Sequence, residues 1–120
     1  MDIKIKYFSE AAKPLAQAHP GEWVDLRCAE DTILVAGERT LINTGAAMQF
    51  PEGYEAIIAP RSSTFKNYGF MLANNIGVID NKYCGDNDIW YLNVYPTRDV
   101  FIPMGERIAQ FRIQKTQGDI

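Results

Sequence analysis

The sequence predicts an all-β fold of the sandwich, jelly-roll or barrel kind. Three observations predict it. Short runs rich in β-branched and aromatic residues recur along the chain. Glycine, proline, asparagine and aspartate punctuate them at short intervals, as turns require. Only one segment, Ser62 to Tyr68, reads as a helix.

Taken in order, Ile3 to Tyr7 alternates apolar residues with lysine, the pattern of an edge strand. Ser9 to Ala18 suits a helix until Pro14 interrupts it, which leaves an irregular turn or loop. Trp23 to Leu26 and Thr32 to Ala36 are strand candidates. Gly37-Glu38 turns the chain into Thr40 to Asn43, and Ala46 to Phe50 follows. Pro51-Glu-Gly53 is a tight turn before the strongly β-forming Tyr54 to Ala59. Ser62 or Ser63 can cap the helix, and Gly69 can end it in a left-handed conformation. Asp80-Asn81 lies between two apolar stretches and favours a hairpin. Ile89 to Tyr95, Val100 to Ile102 and Arg107 to Ile113 complete the strands.

The chain has 120 residues, which suits a single domain spanning 1–120, with 113–120 a frayed tail. Hydrophobic residues make up 47%, enough for a packed core. Charged residues make up 22% and the net charge is −3, which argues against a disordered tail and against a direct nucleic-acid binder. Positive charge for a polyanion must then be local or come from a metal ion. Nothing resembles a signal peptide or a membrane span, so a soluble cytoplasmic protein with no membrane partner is expected. Two cysteines, Cys28 and Cys84, allow one disulfide but no disulfide framework. The single His19, beside Pro20-Gly21, argues against histidine-rich metal sites.

Four segments could carry chemistry. In Ala59-Pro-Arg-Ser-Ser-Thr64 a strand runs into a helix start, where unpaired N–H groups, Arg61, Ser62 and Ser63 could hold phosphate. The alternative is a capped helix with a structural arginine. In Asn74-Asn-Ile-Gly-Val-Ile-Asp-Asn-Lys-Tyr-Cys-Gly-Asp86, glycines open the backbone to a planar base. There Asp80 sits in a locally apolar setting suited to a general base, and Tyr83 offers a flat face to a sugar. The plainer alternative is a turn aspartate and a core tyrosine. In Gly105-Glu-Arg-Ile-Ala-Gln-Phe-Arg112, strand alternation puts Ile108, Gln110 and Arg112 on one face and Ala109 and Phe111 on the other. Gln110 could donate to a phosphate oxygen or be an ordinary surface residue. Asp25, in Trp23-Val-Asp-Leu26, could orient a Mg²⁺ or its water shell, or pair with an arginine such as Arg61.

The order of these segments resembles the motifs of the trimeric dUTPases: Asp25, then Pro60-Arg-Ser62, then Gly77-Val-Ile-Asp80 with Tyr83, then Gly105-Glu-Arg-Ile-Ala-Gln110. The resemblance runs from about Trp23 to Ile113. It implies a jelly-roll or distorted β-barrel subunit with one short helix, assembling as a homotrimer with active sites between subunits. It implies Mg²⁺-assisted hydrolysis of dUTP to dUMP and pyrophosphate. Asp80 would activate the water, and Tyr83 would exclude a 2′-hydroxyl. The backbone around Gly77 and Ile79, with Asn74, would read uracil. Arg61, Ser62, Ser63 and Gln110 would meet the phosphates, and Asp25 would hold Mg²⁺ through water. The family's glycine-rich closing motif has no counterpart in Lys115-Thr-Gln-Gly-Asp-Ile120, which leaves a dUTP-binding regulatory module with weak turnover as the alternative. The related deaminase reading would need an acid in Ile89 to Tyr95, and none is there.

Overall fold

A computed structural model describes residues 1–120. The strands in chain order are β1 (Lys4–Tyr7), β2 (Val24–Arg27), β3 (Thr32–Leu34), β4 (Thr40–Gln49), β5 (Tyr54–Ala59), β6 (Phe70–Leu72), β7 (Gly77–Ile79), β8 (Ile89–Pro96), β9 (Val100–Ile102) and β10 (Arg107–Lys115). One helix, α1 (Thr64–Tyr68), and two single 3-10 turns, Glu10–Ala12 and Asn81–Tyr83, complete the elements.

Two four-stranded sheets, in the orders β1-β4-β8-β6 and β2-β10-β5-β7, and a small β3-β9 ribbon form the antiparallel jelly roll. Strand alternation fills the space between the sheets. β8 turns Trp90, Leu92 and Val94 inward, and Ile58 and Phe111 answer from the opposite sheet. Trp90 and Phe111 meet edge to face with ring centroids 5.0 Å apart. No helix is long and apolar enough to cross a membrane.

Several expectations change. Thr40 to Asn43 and Ala46 to Gln49 are one strand, β4, which ends one residue before Phe50 and whose register against β8 shifts between Asn43 and Ala47. Gly45 makes the shift possible: its φ is 71°, and a Cβ there would lie 2.8 Å from the Ala29 Cβ. The chain around Asp80-Asn81 is not a hairpin turn. β7 pairs with β5, β8 pairs with β4 and β6, and Asp80 starts a 3-10 turn. β10 runs to Lys115, opposite Tyr54, and Thr116 N–H donates to the Gly53 carbonyl at 2.9 Å, so strand pairing extends past the expected end of order at Ile113. A bulge between Arg107 and Ala109 turns Ile108 into the core beside Ala109 and Phe111, against the simple alternation. Cys28 and Cys84 are both free, and Cys28 is buried.

Candidate active site

β10 is the element that assembles the first cluster. It lies between β2 and β5, so Gln110 is paired with Asp25 on one side and with Ala59 on the other. Because Ala59 ends β5, the next residues, Pro60 to Ser62, leave the sheet beside Gln110. The Gln110 amide donates to the Pro60 carbonyl at 3.1 Å. Arg61 folds back onto Asp25, Nε to Oδ1 at 3.0 Å, and Arg107 approaches Oδ2 at 3.7 Å. Asp25, Arg61, Arg107 and Gln110 line a cleft of about 750 Å³ together with Ser62, Arg27 and residues of the 14–23 loop.

The turn before α1 is fixed from inside. The buried Thr64 hydroxyl accepts the Arg61 N–H at 2.8 Å and donates to the Ile108 carbonyl at 3.2 Å. This replaces the serine cap expected from the sequence: Ser63 holds the cap position, but its side chain makes no capping bond and lies outside the cleft lining. α1 is five residues long, too short for a substantial dipole. The cleft's positive character therefore comes from Arg27, Arg61 and Arg107.

The second cluster lies at the edge strand β7. Asn74, Gly77 and Ile79, with Tyr91 and Asn93 of β8, line a cleft of about 130 Å³. Gly77 permits a close approach, since a Cβ there would sit 3.1 Å from the Ile58 Cβ. Beyond Ile79 the chain leaves the sheet in the Asn81–Tyr83 turn. The Asp80 carboxylate accepts the Lys82 N–H at 2.8 Å and is exposed, so the apolar setting expected from its neighbours is absent in the protomer. The Tyr83 hydroxyl donates to the Ile89 carbonyl at 2.7 Å. Burial, then the charges of Asp88 and Tyr91, push that phenol above its ordinary value. Its ring stays partly exposed.

The structure thus brings Asp25, Arg61, Ser62 and Gln110 together, and separately Asn74, Gly77 and Ile79, with Asp80 and Tyr83 on the turn that follows. No residue lines both clefts. Sequence reasoning missed Arg27, Arg107 and Thr64. Arg107 lies an odd three positions from Gln110, so an unbroken strand would send the two to opposite faces. The bulge at Ile108 removes that objection, and no local signal announces a bulge.

The donor set bears on Mg²⁺. No three His, Cys, Asp or Glu side chains come together to hold a metal. Both Asp25 oxygens already face guanidinium groups. Such a carboxylate suits a Mg²⁺ that arrives on phosphate oxygens with its water shell, touched through water, and does not suit a protein-ligated ion.

An antiparallel jelly roll with a cleft lined by Arg27, Arg61 and Arg107 at the seam of β2, β5 and β10 defines the class of β protein to which the chain is compared. The dUTPase family model matches residues 23–117. The chain is 50% identical over 115 residues to the SPbeta prophage-derived deoxyuridine 5'-triphosphate nucleotidohydrolase YosS of Bacillus subtilis (strain 168), covering 96% of this chain and 81% of that one. It is 41% identical over 101 residues to the deoxyuridine 5'-triphosphate nucleotidohydrolase of Thermobifida fusca (strain YX), covering 83% and 56% respectively. The dUTPase structure from Streptococcus mutans superposes with a TM-score of 0.85 at 22% identity, covering 97% of this chain and 98% of that one. A mutant dUTPase from phage phi11 of S. aureus, solved with a structural Mg(II) ion, gives 0.86 at 19% identity, covering 100% and 94%. At those identities the likeness to the two structures is one of fold. The chain belongs to the dUTPase family.

Proposed function

We propose that this chain hydrolyses dUTP to dUMP and pyrophosphate. In this reading Asp80 takes a proton from a water whose oxygen attacks the α-phosphorus. The bond from that phosphorus to the bridging oxygen breaks, and pyrophosphate leaves. The backbone at Gly77 and Ile79, with the Asn74 amide, pairs with the polar edge of uracil. The Tyr83 ring lies against the deoxyribose and leaves no room for a 2′-hydroxyl. Arg61, Ser62 and Gln110 hold the phosphates, while Ser63, outside the cleft lining, has no part in this reading. Asp25 orients Arg61 and reaches the metal's water shell. Bound Mg²⁺ neutralises the triphosphate, which lets a chain of net charge −3 accept a polyanion.

The observation that carries this reading is the Asn81–Tyr83 turn. It joins Asp80 and Tyr83 through the Tyr83 N–H bond to the Asp80 carbonyl at 3.1 Å, directly after the β7 backbone that borders the small cleft. Family membership supports the substrate. The separation of the phosphate cleft from this turn supports a homotrimer in which one copy's turn faces another copy's cleft.

Pyrophosphate release from dUTP with Mg²⁺ tests the reading. The native chain should release it, and Asp80→Asn should lose roughly a hundredfold or more of kcat. Asparagine still accepts the Lys82 N–H, so the turn keeps its shape. Equal rates for the two proteins would remove Asp80 as the base. UTP should be a poor substrate for the native chain and a better one for Tyr83→Ala. Light scattering should give three times the protomer mass.

A further inference from the structure

We infer that Asn81 is the positioning residue that sets the Asp80–Tyr83 turn on the body of the protein. The inference rests on the proposed roles of Asp80 and Tyr83. Most bonds within the turn shape it without locating it. Asp80 accepts from the Lys82 N–H at 2.8 Å, and its carbonyl accepts from the Tyr83 N–H at 3.1 Å and from the Cys84 thiol at 3.6 Å. A turn held only by such bonds could swing as a unit about Ile79, because β7 is a three-residue edge strand.

Two side-chain ties reach outward. The Tyr83 hydroxyl reaches the carbonyl of Ile89, the first residue of β8 in the other sheet. The Asn81 amide reaches a different part of the fold: its Nδ2 donates to the Tyr54 carbonyl at 2.8 Å and to the Pro51 carbonyl at 3.2 Å. One NH₂ group thus satisfies two acceptors. The strand register explains the geometry. β7 pairs Ile79 with Ala56, so two residues further on the ladder would bring Asn81 opposite Tyr54. There the backbone has already left the sheet, and the side-chain amide takes over the pairing.

The anchor is itself fixed. Tyr54 pairs with Lys115 of β10, and the Gly53 carbonyl accepts the Thr116 N–H at 2.9 Å. Asn81 therefore ties the turn to a corner that the inner strand β10 holds in place. The Tyr83 bond holds the far end of the turn to β8, and the two Asn81 bonds hold its near end to the β5 corner. A displacement of about 1 Å in a reacting group can cost on the order of a hundredfold in rate.

The test compares Asn81→Asp, Asn81→Ala and Asn81→Gln with the native chain. Asn81→Asp is nearly isosteric but turns the donors into acceptors facing two carbonyls. Asn81→Ala removes the donors without adding charge. Asn81→Gln keeps the NH₂ group. The readouts are kcat, the dUTP-over-UTP ratio of kcat/KM, the Kd of dUMP and the melting temperature. The expected result is a loss of roughly ten- to a hundred-fold in kcat for the Asp and Ala variants. The selectivity ratio should fall with it, the Kd of dUMP should rise by a smaller factor than kcat falls because only the Tyr83 sugar contact moves while uracil is read before the turn, and the Gln variant should recover part of both losses. Folded Asp and Ala variants with native kcat and native selectivity would overturn the inference, whatever their melting temperature. If the Asp variant does not fold, the Ala variant decides by the same readouts. The outcome is separable from that of the proposed function. A native chain that leaves dUTP intact, or an Asp80→Asn variant that keeps its rate, removes the reading itself. An active native chain with a dead Asp80→Asn variant and unaffected Asn81 variants removes only the positioning role.

Discussion

The Asp25 carboxylate and the Arg61 guanidinium meet at 3.0 Å across the seam where β2 and the end of β5 flank β10. Each side chain is about a third exposed or less, at 32% and 27%. The pair holds the arginine over the cleft, and Arg107 adds a longer contact to the same carboxylate. Asp25→Ala leaves two guanidinium groups facing each other without a counter-charge. We expect about 1 kcal/mol of lost stability in urea unfolding. We also expect a higher Mg²⁺ concentration at half-maximal activity. Asp25→Asn, which still accepts one hydrogen bond, should fall between the two.

Thr64 matters more for stability than its place in a five-residue helix suggests. Its hydroxyl is buried between the Arg61 N–H and the Ile108 carbonyl. Thr64→Val keeps the shape but removes the hydroxyl, leaving the Arg61 N–H and the Ile108 carbonyl without this partner. A buried donor and acceptor left unpaired cost roughly 1–3 kcal/mol each in the general case. We expect a loss of about 2 kcal/mol by urea unfolding, with a raised KM for dUTP because the Arg61 turn is no longer pinned.

At Gly77 the constraint is steric rather than conformational. A Cβ there would lie 3.1 Å from the Ile58 Cβ and 3.3 Å from its Cδ1. Ile58 is buried and cannot swing clear. Gly77→Ala should push β7 away from β5 and open the base-side cleft. We expect about 1 kcal/mol of destabilisation from overpacking. Calorimetry should show weaker dUMP binding, while Asp25 and Arg61, on the other side of the sheet, keep their pairing.

Alkaline pH should expose the buried thiol. Burial pushes Cys28 up from its ordinary value of 9.0, against the opposing hydrogen bonds from Thr32 and Glu30. The thiol therefore ionises more readily in the unfolded chain than in the folded one. Its contribution to stability is complete below pH 9 and is lost as pH rises through the folded value. Tyr68 and Tyr83, both pushed up from 10.0 chiefly by burial, add the same sign at higher pH. Unfolding free energy should be level up to about pH 9 and decline above it, with the first part of the decline missing in Cys28→Ala. A thiol reagent near pH 8 should modify Cys84 quickly and Cys28 only on unfolding.

The amino-acid sequence by itself determined the local grammar of this protein. Tyr54 to Ala59 is a strand with the expected ends, because β-branched and aromatic residues fit a pleated surface and Pro60 stops it. Gly69 ends α1 with φ at 67°, as a residue without Cβ can do without strain. The motif order was also legible, because residue identity and spacing are local properties. Tertiary structure decided the rest. Only strand closure made β10 the neighbour of both β2 and β5, and so set Gln110 beside Asp25 and Arg61. The same closure paired β7 with β5 instead of β8, which turned an apparent hairpin at Asp80 into an exposed turn tied down by Asn81. The bulges at Gly45 and Ile108 reassigned which side chains face inward. The physical reason is that strand alternation says only which residues share a face. Which strand lies alongside, and in what register, depends on contacts between residues far apart in the chain, and on them rests the meeting of Asp25, Arg61 and Gln110 in one cleft.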